Sequence, residues 1–216
     1  VGDGNSNTYR PWFENGSWQG DLIEYNVSAG GLLSTTVDSS VQPPTTTNGG
    51  NWSARIQFDA AVSASSTYWS SGRKIIFHNG TIQKAFLFDN LSEAQQLTLS
   101  SDNLDYIRGD ESNEADHNNG TLRQRYNLLG SIIHSNPVHV EVPDGPFASL
   151  AGYSAFKTTH ASRAARVYVG ANDGMLHAFN ATTGDEVWSY VPSMLINTLD
   201  KLTAVPFEHT YYVDGQ

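Results

Sequence analysis

The chain has 216 residues, 22 acidic and 12 basic side chains, a net charge of −10 and no cysteine. That length suits one or two domains, and the acidic balance disfavours both nucleic acid, whose phosphates need a basic face, and charge-driven binding to anionic lipid. The missing cysteines exclude disulfides, a zinc–thiolate site and a cysteine nucleophile, and no apolar run approaches the ~18 residues of a membrane span.

Residues 1–17, rich in Gly, Asn and Ser, read as an irregular leader. They contain neither an initiator Met nor a signal peptide, so the chain is expected to begin inside a longer precursor. Residues 18–27 alternate well enough for a strand, with Leu22, Tyr25 and Val27 as core residues. Residues 34–53 are dominated by Thr, Ser, Asn, Pro and Gly and read as an exposed loop. Near its end, Trp52 is the best of the five tryptophans for an exposed recognition role.

Residues 73–78 suit a strand, Asn79-Gly80 supplies a hairpin turn, and residues 81–88 return. Ser92 and Gln95 form a capping box before a short helix near 93–99, and a second helical turn is expected over 104–108. Residues 109–121 are polar and read as flexible, and a strand near 137–142 follows.

The most regular unit runs over 166–192, RVYVGANDGMLHAFNATTGDEVWSYVP. Val167 and Val169 face one way and Tyr168 the other, because side chains alternate along a strand. Asn172-Asp173-Gly174 tolerates the positive φ of a tight turn. Residues 175–179 form the return strand, 181–185 a second turn and 187–191 a third strand. Pro192 ends it, having no N–H to give a ladder. Such a meander cannot bury both its faces alone, and units of this kind recur radially in β-propellers. A propeller needs ~4–8 four-stranded blades, and one clear copy is present. The expected fold is therefore mainly β. Residues 1–130 form a mixed leading segment with strands, a long polar loop and short helices. Residues 131–216 form the first blade or blades of an incomplete β-propeller, truncated at the C-terminus.

Several groups carry possible chemistry. Residues 109–117 hold Asp110, Glu111, Glu114 and Asp116, oxygen ligands of the kind a hard cation takes. Their spacing is not that of a calcium loop, and a solvated acidic loop is the plainer reading. An ion pair of Asp110 or Glu114 with Arg123 or Arg125 is a further option. Asp173 reads as a turn residue before a catalytic acid, and His177 as a buried, hydrogen-bonded histidine before a ligand. Asn-x-Ser/Thr triplets at Asn15, Asn26, Asn51, Asn79, Asn90, Asn119 and Asn180 would accept glycans in a secreted eukaryotic protein, and a bacterial source would leave them bare. No H-E-x-x-H, G-x-S-x-G or G-x-x-x-x-G-K motif is present.

The segment 166–192 resembles the quinoprotein-type propeller repeat. Tyr106-Ile107-Arg108-Gly109-Asp110, Arg123-x-Arg125, Leu128-Leu129-Gly130-Ser131-Ile132-Ile133-His134-Ser135-Asn136-Pro137-Val138, the strand–turn–strand over 168–179 and Tyr212-Val213-Asp214-Gly215 follow in that order. They look like the PilC/PilY family of type IV pilus tip-associated adhesins. Trp18-Gln19-Gly20-Asp21-Leu22 is similar to the opening of that family's C-terminal region. Ser131 stands where the usual family form has Asp. The resemblance implies a non-enzymatic pilus biogenesis and adhesion protein at the surface, pilus tip or outer membrane of a Gram-negative bacterium. It would bind through loops on a propeller scaffold. Minor pilins, a host or surface receptor and the remaining propeller sequence are the implied partners. No cofactor is implied in this segment. The family's calcium loop lies further along the propeller, and no stretch here matches it. Arg108-Gly109-Asp110 is either a ligand motif or a structural element before the acidic loop. The alternatives are a quinoprotein-like dehydrogenase, which needs a complete propeller around its cofactor, and an outer-membrane assembly scaffold.

Overall fold

The computed structural model describes residues 6–27, 36–38, 45–47 and 52–215. Strand β1 (Ser6–Phe13) pairs antiparallel with β2 (Gly20–Val27), from Ser6 opposite Val27 to Phe13 opposite Gly20. Residues 6–13 of the expected irregular leader are thus a strand, and 14–17 form the turn to β2. Pro11 is tolerated because β1 is an edge strand, where a missing N–H breaks no ladder. Leu22 and Tyr25 are buried as expected, and Val27 is half-buried.

The expected exposed loop over 34–53 lies partly outside the described residues. Within it β3 (Thr36–Asp38) and β4 (Thr45–Thr47) pair antiparallel. Its end is not exposed, since Trp52 and Ser53 are buried. Ser53 caps helix α1 (Ala54–Ala64): its Oγ accepts from the Ile56 N–H at 3.3 Å and donates to the buried Asp21 at 2.6 Å. A π-helical turn, Tyr68–Gly72, follows.

A six-stranded sheet organises the rest. Its strands are β5 (Ile75–His78), β6 (Gln83–Ala85), β7 (Val138–Val140), β8 (Arg166–Gly170), β9 (Leu176–Asn180) and β10 (Glu186–Val191). Their spatial order is β6-β5-β10-β9-β8-β7. β7, β8, β9 and β10 form an antiparallel meander in which the expected three strands and both turns are present. β5 lies parallel to β10, with Ile75 opposite Ser189 and Phe77 opposite Val191. The sheet therefore draws strands from both sides of residue 130 and does not divide there. β6 forms one edge, short and carrying Lys84, which blunts unwanted strand pairing.

Helices α2 (Glu93–Thr98) and α3 (Ser101–Arg108) sit where the sequence signals put them, and the Ser92–Gln95 capping box is formed. Helix α4 (Tyr153–Thr159) lies in the excursion between β7 and β8, and a 3-10 run spans Ser193–Thr203.

The register decides which side chains share a face. Val167, Val169, His177, Phe179, Ser189, Val191, Ile75 and Phe77 fall on one face, and all are buried. At the β8–β9 end this face packs on Leu22, Trp52, Phe58, Leu129 and Ile132. At the β5–β10 end it packs on Phe86, Leu99, Leu104, Ile107, Ile196 and Leu199. The opposite face carries Val138, Tyr168, Leu176, Trp188, Tyr190 and Ile76. Val138 is 56% exposed and the other five are half-buried.

Candidate functional site

Between the two apolar clusters the buried face of the sheet holds a chain of alternating charges. The Asn172-Asp173-Gly174 turn, with Gly174 at φ 89°, puts Asp173 at the end of the β8–β9 hairpin. Its carboxylate receives the Met175 N–H at 3.1 Å and the Gly130 N–H at 3.1 Å. His177 on β9 spans two acids: Nε2 lies 3.0 Å from Asp173 Oδ2, and Nδ1 lies 2.8 Å from Glu186 Oε1 on β10. Arg73, just before β5, grips the same Glu186 with both arms, Nε to Oε2 at 2.8 Å and Nη2 to Oε1 at 2.7 Å. Its Nη1 donates to the Arg108 carbonyl. The Arg73 and Glu186 side chains are each 1% exposed.

The order acid–imidazole–acid–guanidinium sets each ionisation. Burial alone would lower His177, but Asp173 and Glu186 on either side overcome it and push the imidazole up to about 9. Burial alone would raise Glu186, but Arg73 and then His177 hold it well below the usual carboxylate range. A carboxylate and an imidazole so fully engaged are placed to hold strands together. Asp173 and His177 thus stand where the sequence reading put them, as a turn residue and a hydrogen-bonded buried histidine.

A second buried acid fixes the C-terminal end. Asp214 receives the consecutive backbone N–H groups of Ile133, His134 and Ser135 at 2.8–3.0 Å and the Asn172 Nδ2 at 3.0 Å. Such a nest of amides holds a carboxylate in its charged form, and despite burial it pulls Asp214 below its ordinary value. Asn172 also accepts from the Tyr212 N–H, and its own N–H reaches the Ser131 carbonyl. The motif over 128–135 is therefore a strap held by the Asp173 turn on one side and Asp214 on the other. Gly130 permits this contact, because a Cβ there would stand 2.3 Å from the Asp173 nitrogen. Ser131, where the family form carries Asp, is buried and touches His209 Nε2 and Asn172 Nδ2; an acid there would meet the field of Asp214. Replacing Asp214 by Ala orphans several buried donors and is expected to cost about 2–3 kcal/mol. Faster amide hydrogen exchange at Ile133, His134 and Ser135 than at β9 is the accompanying check.

The sequence-derived recognition residues fare differently. Trp52 is 4% exposed, and its indole N–H donates to the Ala181 carbonyl at 3.0 Å. The exposure expected from its polar neighbours is corrected: the ring closes the core between α1 and the second turn of the meander. Arg108, Gly109 and Asp110 end α3. Arg108 is buried and donates to the carbonyls of Phe86, Trp69 and Ser70. Gly109 is the left-handed helix cap at φ 118°, a conformation that favours glycine. Asp110 folds its carboxylate back onto Ser112. The triplet does not present three exposed side chains together. In the acidic loop Glu114 is buried and paired with Arg125 at 2.8 Å. Among the described residues no group of three or more His, Cys, Asp or Glu side chains is arranged to hold a metal. Sequence reasoning missed the Arg73–Glu186 link, which no residue of the family motifs marked, and the Asp214 nest, for which the family residues over 128–138 and 212–215 were the signal.

Residues 129–216 match the family described as the PilY1 beta-propeller domain, and the sheet that they share with β5 and β6 is open in this chain. The chain is homologous to the type IV pilus biogenesis factors of the PilY1 family, as its motifs indicated. It is 34% identical over 215 residues to a Type IV pilus biogenesis factor PilY1 homolog of Xylella fastidiosa (strain Temecula1), covering 97% of this chain and 16% of that protein. It is 34% identical over 223 residues to Type IV pilus biogenesis factor PilY1 of Pseudomonas aeruginosa (strain PAK), covering 92% and 17%. A second Xylella fastidiosa homolog is 37% identical over 125 residues, covering 52% and 8%. The chain thus spans about one sixth of the length of the first two relatives. No solved structure matches.

Proposed function

We propose that the chain is part of a cell-surface type IV pilus biogenesis and adhesion protein, in which the meander is one blade of a β-propeller. The observation that carries the function is the 34% identity, over nearly the whole chain, to proteins named as type IV pilus biogenesis factors. The blade reading is supported by the half-exposed apolar face of Tyr168, Leu176, Trp188 and Tyr190, which has the composition of a face packed against a neighbouring blade. The loops at the blade ends would present recognition surface from a rigid scaffold, with minor pilins and a surface receptor as partners at the pilus tip.

Deleting the encoding gene is expected to abolish surface pili seen by electron microscopy and twitching on agar, and to reduce attachment to host cells. Normal piliation and attachment in the deletant would overturn the reading. The chain is proposed to be non-catalytic. Assays with alcohols and sugars, added quinone and calcium are expected to give no turnover; turnover abolished by Asp173→Asn would establish the dehydrogenase reading instead.

A further inference from the structure

Two arginines two positions apart meet opposite electrostatic surroundings. Arg125 stacks over the Tyr106 ring, with Cζ 3.6 Å from its centroid, and is paired with Glu114. Arg123 stacks over the Phe207 ring at 3.4 Å and donates to the Ser17 carbonyl. Among the described residues no carboxylate lies within ion-pairing distance of Arg123. Its backbone is fixed by an N–H bond to the Thr203 carbonyl. Burial, reinforced by the charge of Arg125, holds its guanidinium below the ordinary value. A cation taken part-way out of water with no counter-charge is costly unless something pairs with it.

Arg123 lines a cleft where the turn of the β1–β2 hairpin, the run 123–131, the Asp173 turn and the stretch around Phe207 and His209 meet. Tyr106 lines the same cleft. It is 2% exposed, and its hydroxyl has no hydrogen-bond partner among the described residues. Buried hydroxyls are nearly always satisfied, so an orphan beside a cleft points to a missing acceptor. Arg123 and Tyr106 lie close enough that each perturbs the other's ionisation. Asp173, the single carboxylate among the lining residues, is already bound to His177 and the Gly130 N–H. The cleft therefore holds an unpaired cation and an unused donor, flanked by the buried amides of Gln19 and Asn127.

We propose that this cleft is a carboxylate-binding site, in which Arg123 pairs with the ligand's carboxylate and the Tyr106 hydroxyl donates a second hydrogen bond to it. The site goes beyond the pilus reading and does not depend on it. An acidic sugar and an acidic peptide side chain both supply the group, and paired probes separate them. The full chain is titrated with glucuronate against glucose, and with N-acetylglutamate α-amide against N-acetylglutamine α-amide, followed by amide chemical shifts over 123–131 and the Trp18 indole signal. At least one carboxylate is expected to bind in the millimolar range or tighter while its neutral partner does not, and the tighter of the two names the source. Arg123→Gln should weaken binding about tenfold or more, the effect of one charge-assisted hydrogen bond, with Arg163→Gln as an unaffected control. Tyr106→Phe removes only the orphan oxygen. It should weaken binding severalfold without lowering the melting temperature, and it decides the matter if Arg123→Gln proves unstable. Equal shifts from neutral and acidic probes, no shift from either acid, or unweakened binding by the folded variants would overturn the proposal.

Discussion

Replacing Glu186 by Gln is expected to destabilise the chain by about 3–5 kcal/mol, because it leaves the buried Arg73 guanidinium without its counter-charge. The amide keeps the shape of the carboxylate, so the loss reads charge and not volume. Urea titration at pH 6 measures it, and a loss under ~1 kcal/mol would mean that water or another acid compensates Arg73. The double variant Arg73→Met with Glu186→Leu should recover much of the loss, since removing both charges removes the uncompensated one. The same network predicts a pH dependence. His177 is raised from 6.5 to about 9 in the folded chain, so its contribution is complete below about pH 6.5 and disappears as pH rises through about 9. Glu186 is depressed, so its contribution is present above its ordinary 4.5 and is lost as pH falls through the folded value. Both are fully engaged between roughly pH 5 and 6.5. A urea midpoint that falls from pH 6.5 to 9 in the parent, and less so in His177→Gln, is the expected result.

Trp52→Ala is expected to cost about 3–5 kcal/mol, the usual range for emptying a large aromatic site in a core. The ring lies 5.8 Å from Tyr9 and 6.4 Å from Phe179, and it occupies the space that a Cβ on Gly184 would enter. Thermal melting separates this role from surface recognition. A recognition aromatic on the surface would leave the melt within about 0.5 kcal/mol of the parent and lower only binding.

These two residues show how far the sequence could be read. The meander over 165–192 was legible because each of its turns carries residues that only a turn needs, Asn-Asp-Gly in one and Thr-Gly in the other. Helix α2 was legible from Ser92 and Gln95, whose pairing is local. Trp52 was misread because its neighbours in sequence are polar while its neighbours in space are Phe58, Phe179 and Ala181, supplied from elsewhere in the chain. Strand β1 was hidden by Pro11 and a Gly- and Asn-rich start. The β5–β10 pairing was invisible for a related reason: parallel strands carry no turn between them, and nothing local in Ile75–His78 names its partner. Of the site, the positions of Asp173, His177 and the Glu114–Arg125 pair were foreseen in kind. The grip of Arg73 on Glu186 was not, since it joins residues 113 positions apart.

That separation also sets an order of events in time. During synthesis at ~5–20 residues per second, the hairpin β5–β6 emerges on the order of ten seconds before its partner strand exists. Helices α2 and α3 follow within a few dozen residues and can cover Ile75 and Phe77 early, by contacts that need no long loop to close. Pairing with β10 must wait, and non-local pairing of this kind is slow and leaves its edges open to other chains meanwhile. The meander is therefore expected to dock after Ile75 and Phe77 are first covered, with β10 bringing Glu186 to an Arg73 made well before it.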